Sequence, residues 1–437
     1  MARRVLVLTY YFPPSGGPGV QRILKTVKYL PDLGWVPHVL TVREGAYPAH
    51  DSTLRDDIPT TAAVHRTSAW DPYQAYAWLT GQSDDDAVVQ GSVEGREKNW
   101  KEQLARWVRA NLFLPDARVG WVPFAVWRGC RLLATHRMDA ILTTGPPHST
   151  HLAGAALERW TGVPWVADFR DPWTDINYYH ELPHTEAARR IDRALERMVL
   201  RRAAAVTTVS PSWRRLLIDK GDESEARSVH VVQNGFDEAD IERGRHAIEE
   251  ERFVLTHVGS LYASRNPLGV WRALRRLRDA SAVPRLRIRL VGMVDPTVRE
   301  AIRSLNLEDI TEVVPYVPHE EAVAYMQRAG LLLLSIEDFP ASAGMLTGKI
   351  YEYLATGRPI VGVGDPDGDA AALLRTTGGG RLFGRYDVEG LAQFIRAHYE
   401  DWRIASPRLG ASLKALQPYR RRAQTERMAA VLNDVTS

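Results

Sequence analysis

Lys349 and Glu352 stand three residues apart in the stretch GMLTGKIYEYLATGRP, which runs from Gly344 to Pro359. The spacing predicts a helix with Thr347 at its cap, Lys349 in the first turn and Glu352 on the same side. A cation beside a helix N-terminus suits a diphosphate, and a carboxylate suits the paired hydroxyls of a ribose, so the two together suit a nucleotide diphosphate. The same pair would also serve as an ordinary surface ion pair at (i, i+3).

Other segments place polar groups in loops of the same kind. Ser15-Gly16-Gly17-Pro18-Gly19 lets the backbone approach an anionic ligand, or makes a tight strand-to-helix turn. A dinucleotide site would need G-x-G-x-x-G and an acidic residue roughly 20 positions on; Val42 stands near there, so a nicotinamide cofactor is not expected. His148, in Gly145-Pro146-Pro147-His148, is expected at the carboxyl end of a strand, with Ser149 or Thr150 capping the next helix. It is either catalytic or a satisfied structural histidine. Asp168, Arg170 and Asp171 share one loop and suit hydroxyl binding or the orientation of a histidine. Asn234-Gly235 reads as a turn or a ligand loop, and Arg265, after His257-Val258-Gly259-Ser260, suits a phosphate.

These residues need a scaffold that brings loops together, and the hydrophobic pattern supplies one. Short β-branched runs alternate with helical stretches, with strands predicted at Val5 to Leu8, Pro37 to Val42, Ala140 to Thr144, Trp165 to Ala167 and Ala205 to Val209. The alternation restarts with Phe253 to Val258, Leu286 to Val291, Glu312 to Val317, Leu331 to Ser335 and Pro359 to Val363. Ser406 to Leu432 reads as one long polar helix. Parallel sheets with crossover helices carry ligands at the carboxyl ends of their strands, and two such domains would form a cleft lined by both loop sets.

Composition narrows the function classes. With 437 residues, 45% hydrophobic and 25% charged, the chain is an ordinary globular protein, and Lys+Arg 56 against Asp+Glu 53 gives no strongly cationic body for nucleic acid. The single cysteine, Cys130, makes neither an internal disulfide nor a thiolate zinc site. No signal-peptide pattern and no apolar run of about 20 residues is seen, so a cytoplasmic protein is expected. Asp84-Asp85-Asp86 and Asp365-Pro366-Asp367 read as acidic turns, and Pro183 between His180 and His184 argues against a helical zinc pair, so no metal is expected. Residues 100–131 interleave Trp100, Trp107, Phe113, Trp121, Phe124 and Trp127 with Arg106, Arg109, Arg118, Arg128 and Arg131, as a membrane-facing surface or a core helix would.

Taken in order, YYFPPSGGPGVQR, GPPH, DFRDPW, VVQNGFD, HVGS and TGKIYEYLATGRPI resemble the retaining GT-B glycosyltransferases of family 4, which move a sugar from a nucleotide donor to an acceptor. The resemblance implies two Rossmann-like domains facing across a cleft, at 1–226 and 227–405, with a helix at 406–437 returning to the first. It implies Gly16 and Gly17 against the donor's diphosphate or sugar, His148 at the transferred sugar and Glu352 at the ribose. Asn234, Gly259, Ser260, Gly344, Met345, Leu346 and Thr347 would complete the donor site, with Arg265 and Lys349 stabilising the leaving diphosphate and Asp168, Arg170 and Asp171 on the acceptor side. Two positions depart from the family's commoner pattern: Gly344 replaces the first of two glutamates, and Ser260 replaces an arginine. The implied donor is a UDP- or GDP-sugar; the implied acceptor is a carbohydrate, lipid-linked or small molecule in glycoconjugate synthesis, reached at the inner membrane face if 100–131 docks there. The alternatives are a nucleotide-sugar 2-epimerase of the same fold and a non-catalytic sugar-nucleotide-binding protein.

Overall fold

The computed structural model describes residues 2–45, 47, 50–70, 100–221, 228–242 and 251–437. The chain divides into two compact units, Met1–Gln233 with Arg421–Ser437, and Asn234–Arg420. Asp84-Asp85-Asp86 lie outside the described residues.

The first unit holds β1 (Arg3–Leu8), β2 (Trp35–Val42), β3 (Ala63–Thr67), β4 (Ala140–Gly145), β5 (Trp165–Phe169), β6 (Ala205–Thr208) and β7 (Val229–Val231). Among the described residues these form one parallel sheet in the order β3-β2-β1-β4-β5-β6-β7. The second unit holds β8 (Phe253–Val258), β9 (Leu286–Val291), β10 (Thr311–Val314), β11 (Leu331–Ser335), β12 (Ile360–Val363) and β13 (Gly380–Phe383). Its sheet is parallel in the order β10-β9-β8-β11-β12-β13. In each unit the strand order reverses once, between β1 and β4 and between β8 and β11. Such a reversal leaves a crevice beyond the strand ends, because successive crossovers run to opposite sides there.

The helices follow from apolar spacing. In Pro18–Tyr29, Pro18 occupies the first turn, where its missing N–H costs nothing, and Val20, Ile23, Leu24 and Val27 are buried on one face. In Leu268–Asp279, Val270, Trp271, Leu274 and Leu277 do the same in the second unit. Three departures from the sequence reading have local causes. The expected strand Glu312 to Val317 stops at Val314, because Pro315 has no N–H for the ladder. β3 and β13 were not expected: the first is a half-buried edge strand carrying His65 and Arg66, and the second begins in the run Gly378-Gly379-Gly380, which reads as a turn. The long helix expected over Ser406 to Leu432 is broken: Ser412 caps a short turn at Leu413–Leu416, Pro418 interrupts, and the helix proper is Arg421–Val435. That helix belongs to the first unit, where Met428, Val431 and Leu432 join the core around Val20, Ile23 and Val27.

Candidate functional site

In the second unit the two loops at the β8/β11 reversal carry the charged groups. Gly259 ends β8 with φ +109, a conformation that favours glycine, and a Cβ there would overlap the end of the Lys349 side chain. Lys349 thus lies directly over the glycine turn, reached from the first turn of the helix Gly348–Ala355. Burial first, and then the Arg265 guanidinium, push the Lys349 ammonium down to about 8, against the pull of Glu352. Thr347 sits at the cap position as expected, but its side chain accepts no cap hydrogen bond. The backbone N–H groups of that first turn therefore have no capping hydroxyl, beside a lysine.

Arg265 lies in a short 3-10 turn after β8, and its Nε is 3.5 Å from Oε2 of Glu337, a buried carboxylate in the loop after β11. Ser335 Oγ donates to the Arg265 carbonyl at 2.6 Å, and Arg385 donates to the carbonyls of Ser264 and Ile336. Both loops are therefore tied together around Arg265. Glu337 was not singled out in the sequence; its signal was a carboxylate two residues past a strand at the reversal point. Asn234 Nδ2 donates to the Leu346 carbonyl at 3.1 Å, so Asn234 and the Gly344–Thr347 segment do meet. His257, buried in β8, bonds through Nδ1 to the Leu333 carbonyl at 2.9 Å. A carbonyl only accepts, so Nδ1 carries the proton; burial and Lys349 hold this imidazole neutral, down to about 3.

In the first unit, Gly17 (φ +95) turns the chain from the β1 loop into the helix Pro18–Tyr29. His148 occupies the position before the helix Ser149–Thr161, but neither Ser149 nor Thr150 caps it. Asp116 does so from a distant loop, accepting from Ser149 N and Ser149 Oγ, both at 2.8 Å. His148 is 4% exposed, and neither ring nitrogen has a hydrogen-bond partner among the described residues. Burial, followed by His151 and Arg170, lowers its pKa well below the usual histidine value, so the ring is neutral at physiological pH.

The three acceptor-side candidates separate. Asp168 accepts from Arg22 Nε (3.1 Å) and Nη2 (2.8 Å), from Thr207 Oγ1 (2.7 Å) and from Thr144 Oγ1 (2.9 Å), all buried. Its oxygens join β4, β5, β6 and the first helix, which gives this carboxylate a part in holding the fold. Arg170 donates to the carbonyls of Gly145 (3.1 Å), Gly19 and Pro146, which likewise makes it a clasp between the loops after β1, β4 and β5. Asp171 is half-buried beside that guanidinium.

Elsewhere in this unit, Trp100, Leu104, Trp107, Leu112, Phe124 and Trp127 are exposed, while Trp121 is buried and donates to Thr67. No helix of the described residues is long and apolar enough to cross a membrane. Asp365 accepts from Asp367 N at 3.0 Å, the acidic turn expected there. Among the described residues, no group of three His, Cys, Asp or Glu is placed to hold a metal ion.

With this geometry in place, known proteins identify the class. Residues 16–235 match the family model described as glycosyl transferase 4-like domain, and residues 252–401 match that of glycosyl transferases group 1. The chain belongs to the glycosyltransferases, and its architecture is GT-B. Among solved structures it resembles HepE of Anabaena in complex with UDP and glucose (18% identity, TM-score 0.61, 98% of this chain and 99% of that one). It also resembles a sucrose-phosphate synthase of Thermosynechococcus elongatus (14%, 0.60, 99% and 97%) and an α,α-trehalose 6-phosphate synthase of Burkholderia multivorans (12%, 0.61, 100% and 97%). No curated protein matches the chain.

Proposed function

We propose that this glycosyltransferase moves a sugar from a nucleotide-diphosphate sugar to an acceptor hydroxyl with retention, in the synthesis of a glycoconjugate. The observation that carries the reading is the Lys349 ammonium lying over the Gly259 turn next to Arg265, at the strand reversal of the second unit. Two fixed cations and an uncapped helix N-terminus suit a diphosphate, and Glu352, one turn further on, suits the ribose hydroxyls. The bond between the anomeric carbon and the diphosphate oxygen breaks, and Arg265 and Lys349 take up the charge that develops on the leaving group. The acceptor oxygen attacks from the face the diphosphate leaves, and its proton passes to the departing oxygen. These fixed cations do the work a metal ion would otherwise do. His148, neutral and with both nitrogens unpartnered, can donate to one sugar oxygen and accept from another group.

A lipid-linked acceptor is favoured by the exposed tryptophans of 100–131, which lie near Arg106, Arg109 and Arg131 in the chain.

The test is thermal stabilisation by a panel of UDP-, GDP-, dTDP- and ADP-sugars, because a ligand that binds only the folded state raises its melting temperature. A shift with one base, lost in Lys349→Ala and Glu352→Ala, is expected; no shift with any donor overturns the reading. Product analysis of the selected donor separates transfer from 2-epimerisation, and binding without turnover across an acceptor panel would mark a non-catalytic protein.

A further inference from the structure

Among the described residues His148 has no hydrogen-bond partner, so the rings around it set the direction of its nitrogens. The closest and most nearly parallel is Trp173, from the loop after β5, with ring centres 5.1 Å apart and planes 12° from parallel. His151 and Phe169 complete the enclosure at 5.8 Å each, and they stack on one another. Trp173 is in turn held from outside this cluster: its Nε1–H donates at 2.7 Å to Oδ1 of Asp192, in the helix Glu186–Arg202. One turn on, Glu196 accepts from Thr174 Oγ1 at 2.7 Å and is paired with Lys220, so this helix grips two successive residues of the loop.

Asp192 is fully buried and, among the described residues, carries no ion pair to a cation, an arrangement that costs stability relative to an apolar residue of similar size. Holding the loop would be served as well by the neighbouring Glu196–Lys220 pair. We infer that Asp192 is a positioning residue for His148: by fixing the Trp173 indole it fixes the plane of the imidazole, and hence where the two unpartnered nitrogens point. The inference rests on the reading that His148 meets the sugar, but its geometric half is independent of any donor.

The test uses the full chain labelled with ring-13C histidine, the His148 signals being assigned by their loss in His148→Gln. Asp192→Asn keeps an acceptor for the indole, Asp192→Leu removes it, and Trp173→Phe keeps a ring against His148 without a donor. The His148 signals are expected to move in Asp192→Leu, to stay near wild type in Asp192→Asn, and not to move further when Asp192→Leu is added to Trp173→Phe. With the nucleotide sugar that the stabilisation panel selects, kcat is expected to fall about tenfold in Asp192→Leu, with donor KM within about twofold, and to recover in Asp192→Asn. A folded Asp192→Leu protein with unchanged His148 signals assigns the carboxylate to the fold alone and overturns the inference. Equal effects of Asp192→Leu with and without Trp173 would also overturn it, because the coupling would not run through the indole. If Asp192→Leu does not fold, unmoved His148 signals in Trp173→Phe serve as the refuting result. If no nucleotide sugar binds, the proposed function fails while the His148 signals still decide the positioning role.

Discussion

Lys349 offers a sharp test of the donor site, because its ammonium is held at about 8 and therefore titrates in an accessible range. The diphosphate of a nucleotide sugar has both phosphates esterified and stays fully ionised from neutral pH upward, so the only donor group that titrates at the alkaline end is a base N–H, whose contribution the Lys349→Arg variant reports by itself. If binding needs the ammonium form, affinity is flat below about pH 7 and falls about tenfold per pH unit above about pH 8. The fall ends where the bound ammonium itself titrates. A unit charge pair at about 4 Å with an effective dielectric near 20 is worth roughly 4 kcal/mol, which places that point about three units higher. Titration calorimetry with the selected nucleotide sugar should therefore show a dissociation constant rising about fiftyfold between about pH 8 and pH 10. Lys349→Arg, whose charge does not titrate in this range, should keep only the shallow dependence that ionisation of the base imposes near pH 10, and Lys349→Met should bind weakly at every pH. A wild-type dissociation constant that stays level to about pH 10, in protein whose circular dichroism remains native, would refute the assignment of Lys349 to the diphosphate.

Three further outcomes are expected. Asp168→Asn leaves the buried Arg22 guanidinium without its counter-charge, so urea unfolding should show a loss of about 3–5 kcal/mol; an acceptor-binding role alone would leave stability unchanged. Burial, then His136 and His65, hold His38 down to about 4; the unfolded chain takes up this proton first as pH falls, so stability is full above about pH 6.5 and declines towards pH 4 by up to about 3 kcal/mol. His38→Gln should flatten that part of the urea midpoint against pH, and an unchanged slope would count against the cluster. Replacing Leu104 and Trp107 together by serine should lower co-sedimentation with anionic vesicles several-fold while leaving donor-induced thermal stabilisation intact; equal co-sedimentation would remove the membrane from consideration.

Much of the fold was legible in the sequence because strands buried on both faces read as continuous apolar runs. Phe253–Val258 and Leu331–Ser335, buried throughout, fall where the pattern puts them, as does Leu286–Val291, where half-buried Arg287 and Arg289 alternate with buried apolar residues. Edge strands bury less and carry polar residues, which is why Ala63–Thr67 and Gly380–Phe383 were hidden. The approach of Lys349 to Gly259 and of Asn234 to Leu346 follows from loop placement, since parallel strands deliver their following loops to one edge. Pairings between distant positions leave no periodic trace. Arg22 meets Asp168, Arg265 meets Glu337 and Asp116 caps the helix after His148, and in each pair at most one member stood out. The partners of Asp168 were hidden for the same reason, because a carboxylate next to a candidate loop looks available until its buried hydrogen bonds are known.

The first unit is interrupted by the second: its chain leaves at Gln233 and resumes at Arg421, and Met428, Ala429, Val431 and Leu432 are part of its core. During synthesis the earlier unit therefore cannot close when its own sheet has emerged. The helix Pro18–Tyr29 and the strands beneath it must wait, with apolar surface uncovered, until the whole of Asn234–Arg420 has been made. The unit that begins second is the one able to finish first. A fragment ending at Gln233 would carry that exposed surface permanently, whereas 234–420 retains all of its core, with its ends already joined by the hydrogen bond from Phe236 N to the Tyr419 carbonyl.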